Sequence, residues 1–491
     1  MSYKELKSGT DIRGVASDLG GNSVNLTDQA VLDITSAFIV WYVNKFDRDP
    51  ANLKIAVGRD SRITGRQIAN KVIEALKNSG VTVYDCGMAT TPAMFMTTVD
   101  MKTDGAIQIT ASHHPFDRNG LKFFIPSGGL NSGDIDEIVE LADNNETIIA
   151  TERGLVISVP YMTGYIDRLK RMICKAVGKN EEDMPLKGLK IVVDAGNGAG
   201  GFYANEVLAP LGADVSGSQF LEPDGMFPNH IPNPENNEAM ASICKAVLNA
   251  NADLGIIFDT DVDRAGCVGA DGTEINRNRL IALASYIACD GEKGKYIVTD
   301  SVTCDGLKEF IETDLGGVHY RYRRGYKNVI DKAVELNNAG MDCPLAIETS
   351  GHAALRENYF LDDGAYLVTK IVIELAKGNN LEKIIQNLKI PKEEREVRFK
   401  ILCPNFKDYG MKVLRELEKF AESKSNFKIA DDNFEGIRIY TKNGCFLLRL
   451  SVHDPVMPIN FESNVEGGIA EDIAQIKGFF EQFEELDISA L

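Results

Sequence analysis

Ser112 stands in a short run that combines a nucleophile with candidate bases. The run reads Thr110-Ala111-Ser112-His113-His114-Pro115. A serine hydroxyl beside two imidazoles is suited to covalent catalysis, because an imidazole can accept the hydroxyl proton. Serine and proline together are equally typical of an ordinary turn, so this run alone leaves both interpretations open.

A second run, further along the chain, offers carboxylates. Asp259, Asp261 and Asp263 occupy alternate positions, and Arg264 follows them. Oxygen ligands at this density favour a hard divalent cation such as Mg²⁺, and a cation beside a serine hydroxyl is an arrangement for phosphoryl transfer. Aspartate is also common in solvated loops. The preceding apolar run, Leu254–Phe258, favours the metal site, because ligands of open α/β sheets gather at the carboxyl ends of strands.

The composition limits the classes of protein to be considered. The chain has 491 residues, of which 44% are hydrophobic and 25% charged, so we predict a folded protein with two to four domains. The net charge of -19 argues against nucleic acid or an anionic membrane as a partner. An acidic protein that binds an anionic substrate must therefore concentrate its cations locally.

Cysteine usage and hydropathy bear on the compartment. The nine cysteines include no Cys-x-x-Cys pair, which argues against a disulfide framework or a zinc site and favours a reducing, cytoplasmic location. The first residues lack the apolar core of a signal peptide, and no apolar stretch is long enough to span a bilayer. The oligomeric state is left open.

Strand-like and helix-like segments alternate over most of the chain, which predicts an α/β fold with a smaller α+β part at the C-terminal end. The predicted strands are 54–58, 81–85, 105–109, 121–125, 189–194, 254–258, 296–300, 345–347, 437–440 and 445–449; the predicted helices are about 66–77, 165–177, 327–336, 407–423 and 468–483. Asn119-Gly120 is interpreted as the turn of a hairpin. The glycine cluster 196–201 lacks the Walker lysine and the dinucleotide spacing, and we interpret it as a structural turn.

Several motifs together resemble the α-D-phosphohexomutase family, and within it the phosphomannomutase/phosphoglucomutase group. The resemblance covers the whole chain and rests on motifs in the family's order: Thr110 to Pro115 with Asn119-Gly120-Leu121-Lys122, Asp259 to Arg264, Glu348-Thr349-Ser350-Gly351-His352, Arg449 to Pro455, and the supporting elements Thr10 to Gly14 and Gly58 to Arg62.

The resemblance implies a fold and a reaction. The fold would be three similar α/β domains with mixed sheets and a smaller C-terminal α+β domain, arranged around a central cleft. The predicted domains are 1–155 with a phosphoserine loop, 156–264 with a metal loop, 265–390 with a sugar-binding loop and 391–491 with a phosphate-binding loop. The enzyme, an isomerase, would interconvert hexose 1-phosphate and hexose 6-phosphate, requiring Mg²⁺, a phosphoserine and hexose 1,6-bisphosphate as activator.

The same resemblance assigns roles to individual residues. Ser112 would carry the phosphoryl group and, with Asp259, Asp261 and Asp263, hold the metal. The catalytic candidates are Ser112, His113, Lys122, Arg13 and Arg264, with His113, Lys122 and His352 as possible acids or bases. The hexose phosphate would be bound by Glu348, Ser350, His352, Arg449, Ser451 and His453. Ser350 could instead be a helix N-cap, and exposed lysine and arginine are common on any surface.

Departures from the family pattern and rival functions remain. Thr260 and Val262 stand where glycine is usual, and a β-branched residue disfavours positive φ. Phosphoglucosamine mutase, and a serine-dependent sugar phosphatase, are the alternative enzymes. A linker near Pro391 predicts that the last domain closes over the ligand as a lid.

Overall fold

The structure is a computed structural model that describes residues 2–451 and 454–491. The chain forms two compact units. The first contains the residues up to Leu280 together with Ser350–Glu382, and the second contains Ile281–Thr349 together with Lys383–Leu491.

The first unit begins with a mixed eight-stranded sheet. Its strands are β1 (Lys7–Ser8), β2 (Asp11–Val15), β3 (Lys54–Arg59), β4 (Thr82–Met88), β5 (Gly105–Ile109), β6 (Arg118–Ile125), β7 (Gly128–Gly129) and β8 (Val156–Ser158). The order is β1-β2-β6-β5-β3-β4-β8, with β7 on β6. β3 is parallel to β4 and β5, whereas β6 is antiparallel to β5 and β2. The helices are α1 (Asp28–Phe46), α2 (Gly65–Asn78), α3 (Thr91–Asp100) and α4 (Ser132–Asp143).

The central strands of this sheet are buried in an apolar core. Ile55, Val57, Ile107 and Ile109 are fully buried, as expected for parallel strands covered on both faces by helices. They belong to one apolar cluster with the inner face of α1, where Phe38 is also fully buried. The polar residues after β5 consequently emerge at the end of a buried, well-supported strand.

A second, four-stranded sheet follows. It contains β9 (Ile191–Asp194), β10 (Leu254–Phe258), β11 (Ala265–Gly269) and β12 (Glu274–Ile275), in the order β12-β11-β10-β9. β10 is parallel to β9 and antiparallel to β11, so the chain turns back directly after β10 through residues 259–264. The associated helices are α5 (Tyr161–Val177) and α6 (Asn237–Ala250), with a π-helical segment at Tyr203–Leu208.

The second unit contributes three parallel strands, β13 (Tyr296–Asp300), β14 (Val318–Tyr322) and β15 (Leu345–Ile347), in the order β14-β13-β15. Helix α7 (Asn278–Cys289) crosses the boundary between the units, and α8 (Asp305–Glu309), a π-helical segment (Phe310–Asp314) and α9 (Tyr326–Asn338) follow. The hairpin β16 (Ala353–Leu355) and β17 (Leu361–Asp362), together with α10 (Gly364–Ala376), belongs to the first unit; α11 (Leu381–Ile384) crosses the second boundary.

The C-terminal part is an α+β domain with an antiparallel sheet. Its strands are β18 (Glu393–Ile401), β19 (Lys428–Ile429), β20 (Ile437–Tyr440), β21 (Gly444–Leu448), β22 (Val456–Ser463) and β23 (Leu486–Asp487), in the order β19-β20-β21-β22-β18-β23. Helices α12 (Phe406–Glu422) and α13 (Gly468–Phe480) cover it, and their apolar faces share one buried cluster with the strands.

Within the second unit, this C-terminal sheet is fastened to the strands β13–β15. Arg438, on β20, is buried and donates to the carbonyl oxygens of Ser301 (2.8 Å) and Thr303 (3.0 Å) after β13. Arg321, on β14, forms an ion pair with Asp432 at 3.3 Å. These buried contacts do not favour a C-terminal domain that swings alone on the segment near Pro391; we expect it to move together with β13–β15.

Most predicted strands and helices occur within a few residues of their expected limits, and the sheets have the expected α/β and α+β character. The prediction of a hairpin turn at Asn119-Gly120 is wrong. Asn119 and Gly120 lie inside β6, where they pair with Gly14 and Arg13, and the connection from β5 is the longer segment 110–117. In the described residues, no helix has the length and apolar character needed to cross a membrane.

Candidate functional site

Ser112 lies in the loop after β5 in a conformation that residues other than glycine seldom adopt. Its φ is +51°, in the left-handed region, and only 3% of the residue is exposed. The backbone N–H donates to Thr110 Oγ1 at 2.9 Å. The hydroxyl oxygen lies 2.9 Å from Arg264 Nη2 and 3.2 Å from Asp259 Oδ2. The nucleophile candidate therefore meets the carboxylate loop directly.

His113 is held beside the hydroxyl as a neutral imidazole. Its Nδ1 lies 3.3 Å from Ser112 Oγ and accepts from Arg264 Nη2 at 2.6 Å. Burial, and then the charge of Arg264, lower the pKa of His113 to about 2. The His114 ring stacks on it at 5.3 Å between centroids. Before any phosphate is present, His113 is thus a hydrogen-bond acceptor and a weak base.

The carboxylate loop follows β10 and contains a strained valine. Val262 is fully buried and has φ +67°, which costs about 1–3 kcal/mol for a β-branched residue. Two glycines elsewhere press on this loop: a Cβ on Gly198 would lie 2.6 Å from the carbonyl oxygen of Thr260, and one on Gly364 would lie 2.7 Å from that of Arg264. The glycine cluster is thus a structural turn, as predicted, and it supports the loop.

Asp259, Asp261 and Asp263 converge as a metal site requires. One carboxylate oxygen from each lies within 4.8 Å of the others, and all three residues are buried. Lys122, on β6, lies 2.5 Å from Asp263 Oδ2 and 3.3 Å from Asp261 Oδ2. The hydroxyl of Thr91 also donates to Asp261.

The charges and hydrogen bonds at this site fit a divalent cation. Three carboxylates face two protein cations, Lys122 and Arg264, and the Oδ1 atoms of Asp261 and Asp263 are buried without a hydrogen-bond partner. Burial and then the neighbouring carboxylate of Asp263 raise the pKa of Asp259. Burial opposes ionisation of Asp263 as well, but Lys122 and Arg264 lower its pKa. A hard cation would satisfy the uncoordinated oxygens and the excess negative charge.

Arg264 connects the nucleophile to the carboxylates. The buried guanidinium donates to Asp259 through Nε (3.2 Å) and Nη2 (3.0 Å), while Nη2 also reaches Ser112 and His113. Its Nη1 donates to Asn233 Oδ1 at 3.3 Å. A fixed guanidinium at this place can neutralise charge on the serine oxygen or on a phosphoryl group attached to it.

His352 and Ser350 belong to the same unit as Ser112. His352 forms an isolated β-bridge with Arg264, its Nδ1 lies 2.9 Å from Ser350 Oγ, and its Nε2 lies 3.6 Å from Asp263 Oδ1. Burial and then the charge of Arg264 lower the pKa of His352 well below its usual value. Arg13, on β2, pairs with Asp11 at 2.8 Å.

Two of the predicted substrate ligands, Glu348 and Arg449, lie in the second unit. Glu348, directly after β15, accepts from the backbone N–H of Gly325 at 2.6 Å. Arg449, after β21, is 6% exposed and lies 3.6 Å from Glu435 Oε1. Glu435 also accepts from the Arg324 N–H at 2.9 Å. The Glu435 carboxylate therefore lies between the predicted phosphate ligand Arg449 and the backbone of Arg324.

The rest of the predicted phosphate-binding loop is only partly described. Ser451 Oγ accepts from the backbone N–H of Asp454 at 3.2 Å. His453 lies outside the described residues. The structure thus groups the predicted site residues by unit: the serine, the aspartates, Arg13, Lys122, Arg264, Ser350 and His352 in the first, and Glu348, Arg449 and Ser451 in the second.

Several residues of the site carry no local sequence signal. Thr91 and Asn233 reach the Ser112 site, and Glu435 reaches Arg449, from segments distant in the chain, and none stands in a motif of recognisable chemistry. Arg324 precedes the glycine whose N–H binds Glu348, and only its position at the end of β14 could have suggested a role.

Comparison with known proteins agrees with this arrangement. Sequence models of the phosphoglucomutase/phosphomannomutase family match residues 5–148 (alpha/beta/alpha domain I), 163–272 (domain II) and 276–390 (domain III). A phosphoglucomutase of Neisseria gonorrhoeae is 29% identical over 460 residues, covering 94% of this chain and 93% of the relative. A phosphomannomutase/phosphoglucomutase of Pseudomonas syringae pv. tomato is 29% identical, covering 87% and 86%.

A solved structure extends the agreement to the fold. A phosphoglucomutase/phosphomannomutase family protein from Burkholderia thailandensis superposes with a TM-score of 0.81 at 24% identity, over 99% of this chain and 98% of the other. The family models cover well over half of the chain. The chain therefore belongs to the phosphoglucomutase/phosphomannomutase family and is a phosphohexomutase, an intramolecular phosphotransferase of the isomerase class.

Proposed function

We propose that this enzyme interconverts the 1-phosphates and 6-phosphates of glucose and mannose through a phosphoserine at Ser112 and a hexose 1,6-bisphosphate intermediate, which also serves as activator. The observation that carries the proposal is the position of Ser112 Oγ, 2.9 Å from Arg264 and 3.2 Å from Asp259 at the edge of the carboxylate triad. A serine oxygen that must alternately bear and release a phosphoryl group needs a fixed cation beside it.

We propose Mg²⁺ as the metal, with Asp259, Asp261 and Asp263 as its protein ligands and Ser112 contributing through its phosphoryl oxygen. When bound, the metal would neutralise charge on the phosphoryl group during transfer. Lys122, now placed between two of the aspartates, would then be released toward the phosphate, because a divalent cation competes with it for the charge of the same two carboxylates.

The residues around Ser112 can manage charge and protons during transfer. As the Oγ–P bond breaks, Arg264 Nη2 donates to the serine oxygen and stabilises its developing charge. The attacking sugar hydroxyl must lose a proton, and the neutral His113 and His352 are the acceptors in the first unit. A phosphoserine with nearly two negative charges would raise the pKa of both imidazoles and make them better bases.

Substrate recognition is proposed for Glu348, Ser350 and His352 at the sugar and for Arg449, Ser451 and His453 at the non-reacting phosphate. Glu348 and Arg449 support this by position, since each follows the end of a strand in the second unit. We also propose the four domain limits expected from the sequence, 1–155, 156–264, 265–390 and 391–491. A cytoplasmic location is also proposed, on the ground that all nine cysteines are unpaired.

The decisive experiment measures conversion and hydrolysis together. Purified enzyme is supplied with Mg²⁺, hexose 1,6-bisphosphate and the 1-phosphates of glucose, mannose or glucosamine, and both hexose 6-phosphate and inorganic phosphate are quantified. Conversion of the glucose and mannose compounds with little phosphate release is expected. Preference for glucosamine 1-phosphate would indicate the alternative mutase, and stoichiometric phosphate release would indicate a phosphatase.

A Ser112→Ala variant completes the test. We expect it to fold normally but to lose turnover by at least about 1,000-fold, because the phosphoryl carrier is removed. Mass spectrometry of the wild-type enzyme after incubation with the bisphosphate should find one phosphate on the peptide that contains Ser112. Turnover of the variant near the wild-type rate would rule out the phosphoserine.

A further inference from the structure

A buried arginine outside the predicted site determines the backbone of the Ser112 loop. Arg62 follows β3, and its side chain is fully buried. Its Nη1 donates to the carbonyl oxygens of Pro115 (2.7 Å) and Arg118 (2.9 Å), and its Nη2 donates to those of Ser112 (2.5 Å) and His114 (2.6 Å). One planar guanidinium thus binds four carbonyl groups of a single loop.

The arginine is itself held in place by a buried carboxylate. Asp60 Oδ2 lies 3.3 Å from Arg62 Nε, and Asp60 Oδ1 accepts from the Arg62 backbone N–H at 2.9 Å. Asp60 is anchored through its own N–H, which donates to the carbonyl oxygen of Ile109 at the end of β5. A buried ion pair is expensive to desolvate, so its presence here is better explained by orientation than by stability.

The four contacts act on the part of the loop that carries the chemistry. Ser112 has φ +51°, a conformation that an ordinary residue leaves readily unless the surroundings hold it. A shift of the Ser112 backbone would break its carbonyl contact with Arg62 and carry Oγ away from Arg264 and Asp259, now 2.9 Å and 3.2 Å distant. Fixing the carbonyl therefore fixes the hydroxyl.

We propose that Arg62 is a positioning residue for phosphoryl transfer: through four carbonyl groups it holds Ser112 and His113 in the geometry that faces Arg264 and the aspartates. The proposal rests on the proposed role of Ser112. Among the described residues, the Arg62 guanidinium donates to main-chain carbonyl groups, pairs with Asp60 and lies 5.2 Å from the Phe227 ring, and none of these is a predicted sugar or phosphate ligand. Its removal should therefore leave those ligands unchanged and alter the rate of the chemical step.

The test compares Arg62→Lys and Arg62→Gln with the wild type. Lysine keeps the charge beside Asp60 but lacks the planar fork, so it cannot reach four carbonyl groups. We expect both variants to lose about 100-fold in kcat, since small displacements of a reacting group have effects of this size, while KM for hexose 1-phosphate changes less than threefold. Compared with Arg62→Gln, Arg62→Lys should regain more of the wild-type melting temperature than of the wild-type kcat.

Hydrogen–deuterium exchange provides a readout that does not depend on turnover. In the substrate-free variants, amides of residues 110–118 should exchange at least tenfold faster, while those of α12, in the other unit, should be unchanged. The control is Ile138→Ala in α4, a fully buried core position whose substitution lowers the melting temperature without touching the loop. It should retain kcat.

The outcomes separate this inference from the proposed function. An inactive wild-type enzyme would contradict the proposed function, while the exchange data would still show whether Arg62 holds the loop. The role of Arg62 would be overturned if residues 110–118 exchanged at the wild-type rate in both variants. It would also be overturned if folded Arg62→Gln kept kcat within threefold of the wild type. A kcat loss in Ile138→Ala equal to that of Arg62→Lys would also overturn it, since general destabilisation would then suffice.

Discussion

Replacing Gly364 by alanine should displace the metal loop, although Gly364 stands 100 residues later in the chain. Gly364 begins α10, and its N–H donates to the carbonyl oxygen of Val262 at 3.0 Å. A Cβ at this position would lie 2.7 Å from both the carbonyl carbon and the carbonyl oxygen of Arg264. These are backbone atoms that cannot rotate away, so the helix and the loop must move apart.

The magnitude follows from the packing. Overpacking a rigid contact costs about 1–3 kcal/mol, whereas alanine in place of glycine in a helix gains at most about 1 kcal/mol. Because Val262 already has φ +67°, the loop cannot relax by changing that residue. We expect a net loss of about 1–2 kcal/mol in the free energy of unfolding. If the same displacement separates the aspartates, the Mg²⁺ concentration for half-maximal activity should rise about fivefold to thirtyfold, since 1.4 kcal/mol corresponds to tenfold.

The assay compares thermal melting and Mg²⁺ titrations of Gly364→Ala and Gly164→Ala. Gly164 lies in α5 of the same unit, and a Cβ there would meet no atom within 4 Å. The control should be as stable as the wild type or slightly more stable, with an unchanged titration. If Gly364→Ala matches the control in both measurements, the close contact with the metal loop does not constrain the site.

Three further predictions follow from individual contacts. Asp261→Asn removes one charge from a hard-cation site and should raise the Mg²⁺ requirement at least about tenfold; an unchanged titration would place the metal elsewhere. Glu435→Gln removes the carboxylate 3.6 Å from Arg449; with Arg449 in its proposed role, a substrate phosphate would compete with that carboxylate, so the variant should lower KM by about threefold to tenfold, and a higher KM would show that Glu435 instead orients the arginine. Burial raises the pKa of Asp363 to about 6, so its contribution to the free energy of unfolding is fully present below pH 3.8 and is lost as the pH rises through about 6. The stability of Asp363→Asn relative to the wild type, measured by urea unfolding at each pH, should therefore increase from pH 5 to 7.5 by no more than about 3 kcal/mol. A stability difference that stays constant over this range would refute the assignment.

The positions of the loops that carry Ser112 and the three aspartates could be predicted because their signal is local. An apolar strand followed at once by Ser112 or by Asp259 places polar groups at a sheet edge, whatever the rest of the chain does. The same logic located most strands of the α/β sheets. It failed at Asn119 and Gly120, where a typical turn pair lies inside β6, because sheet pairing with β2 outweighs the turn preference of these residues.

The supporting residues could not be predicted, because their roles arise only from tertiary contacts. Arg62 ends the supporting element Gly58 to Arg62 and Thr91 stands at a helix start, but neither position indicates its partners: Arg62 donates to carbonyl groups of the Ser112 loop and Thr91 to Asp261. Gly364 resembles any helix N-terminal residue until its distance from Arg264 is known. The two histidines outside the motifs contact residues of neighbouring strands: His230 lies 3.0 Å from Asp194, and His319 lies 2.7 Å from Thr299.

The contact between Arg438 and the segment after β13 has a consequence for substrate selection. Glu348 and Arg449 lie in the same compact unit, so with the roles proposed for them the fold sets the separation between a sugar contact and a phosphate contact. A ligand too short to span that separation would lose one of the two contacts, so the unit would select by length as well as by hydroxyl pattern. Substitutions at the buried Arg438 junction would then alter the preferred ligand length.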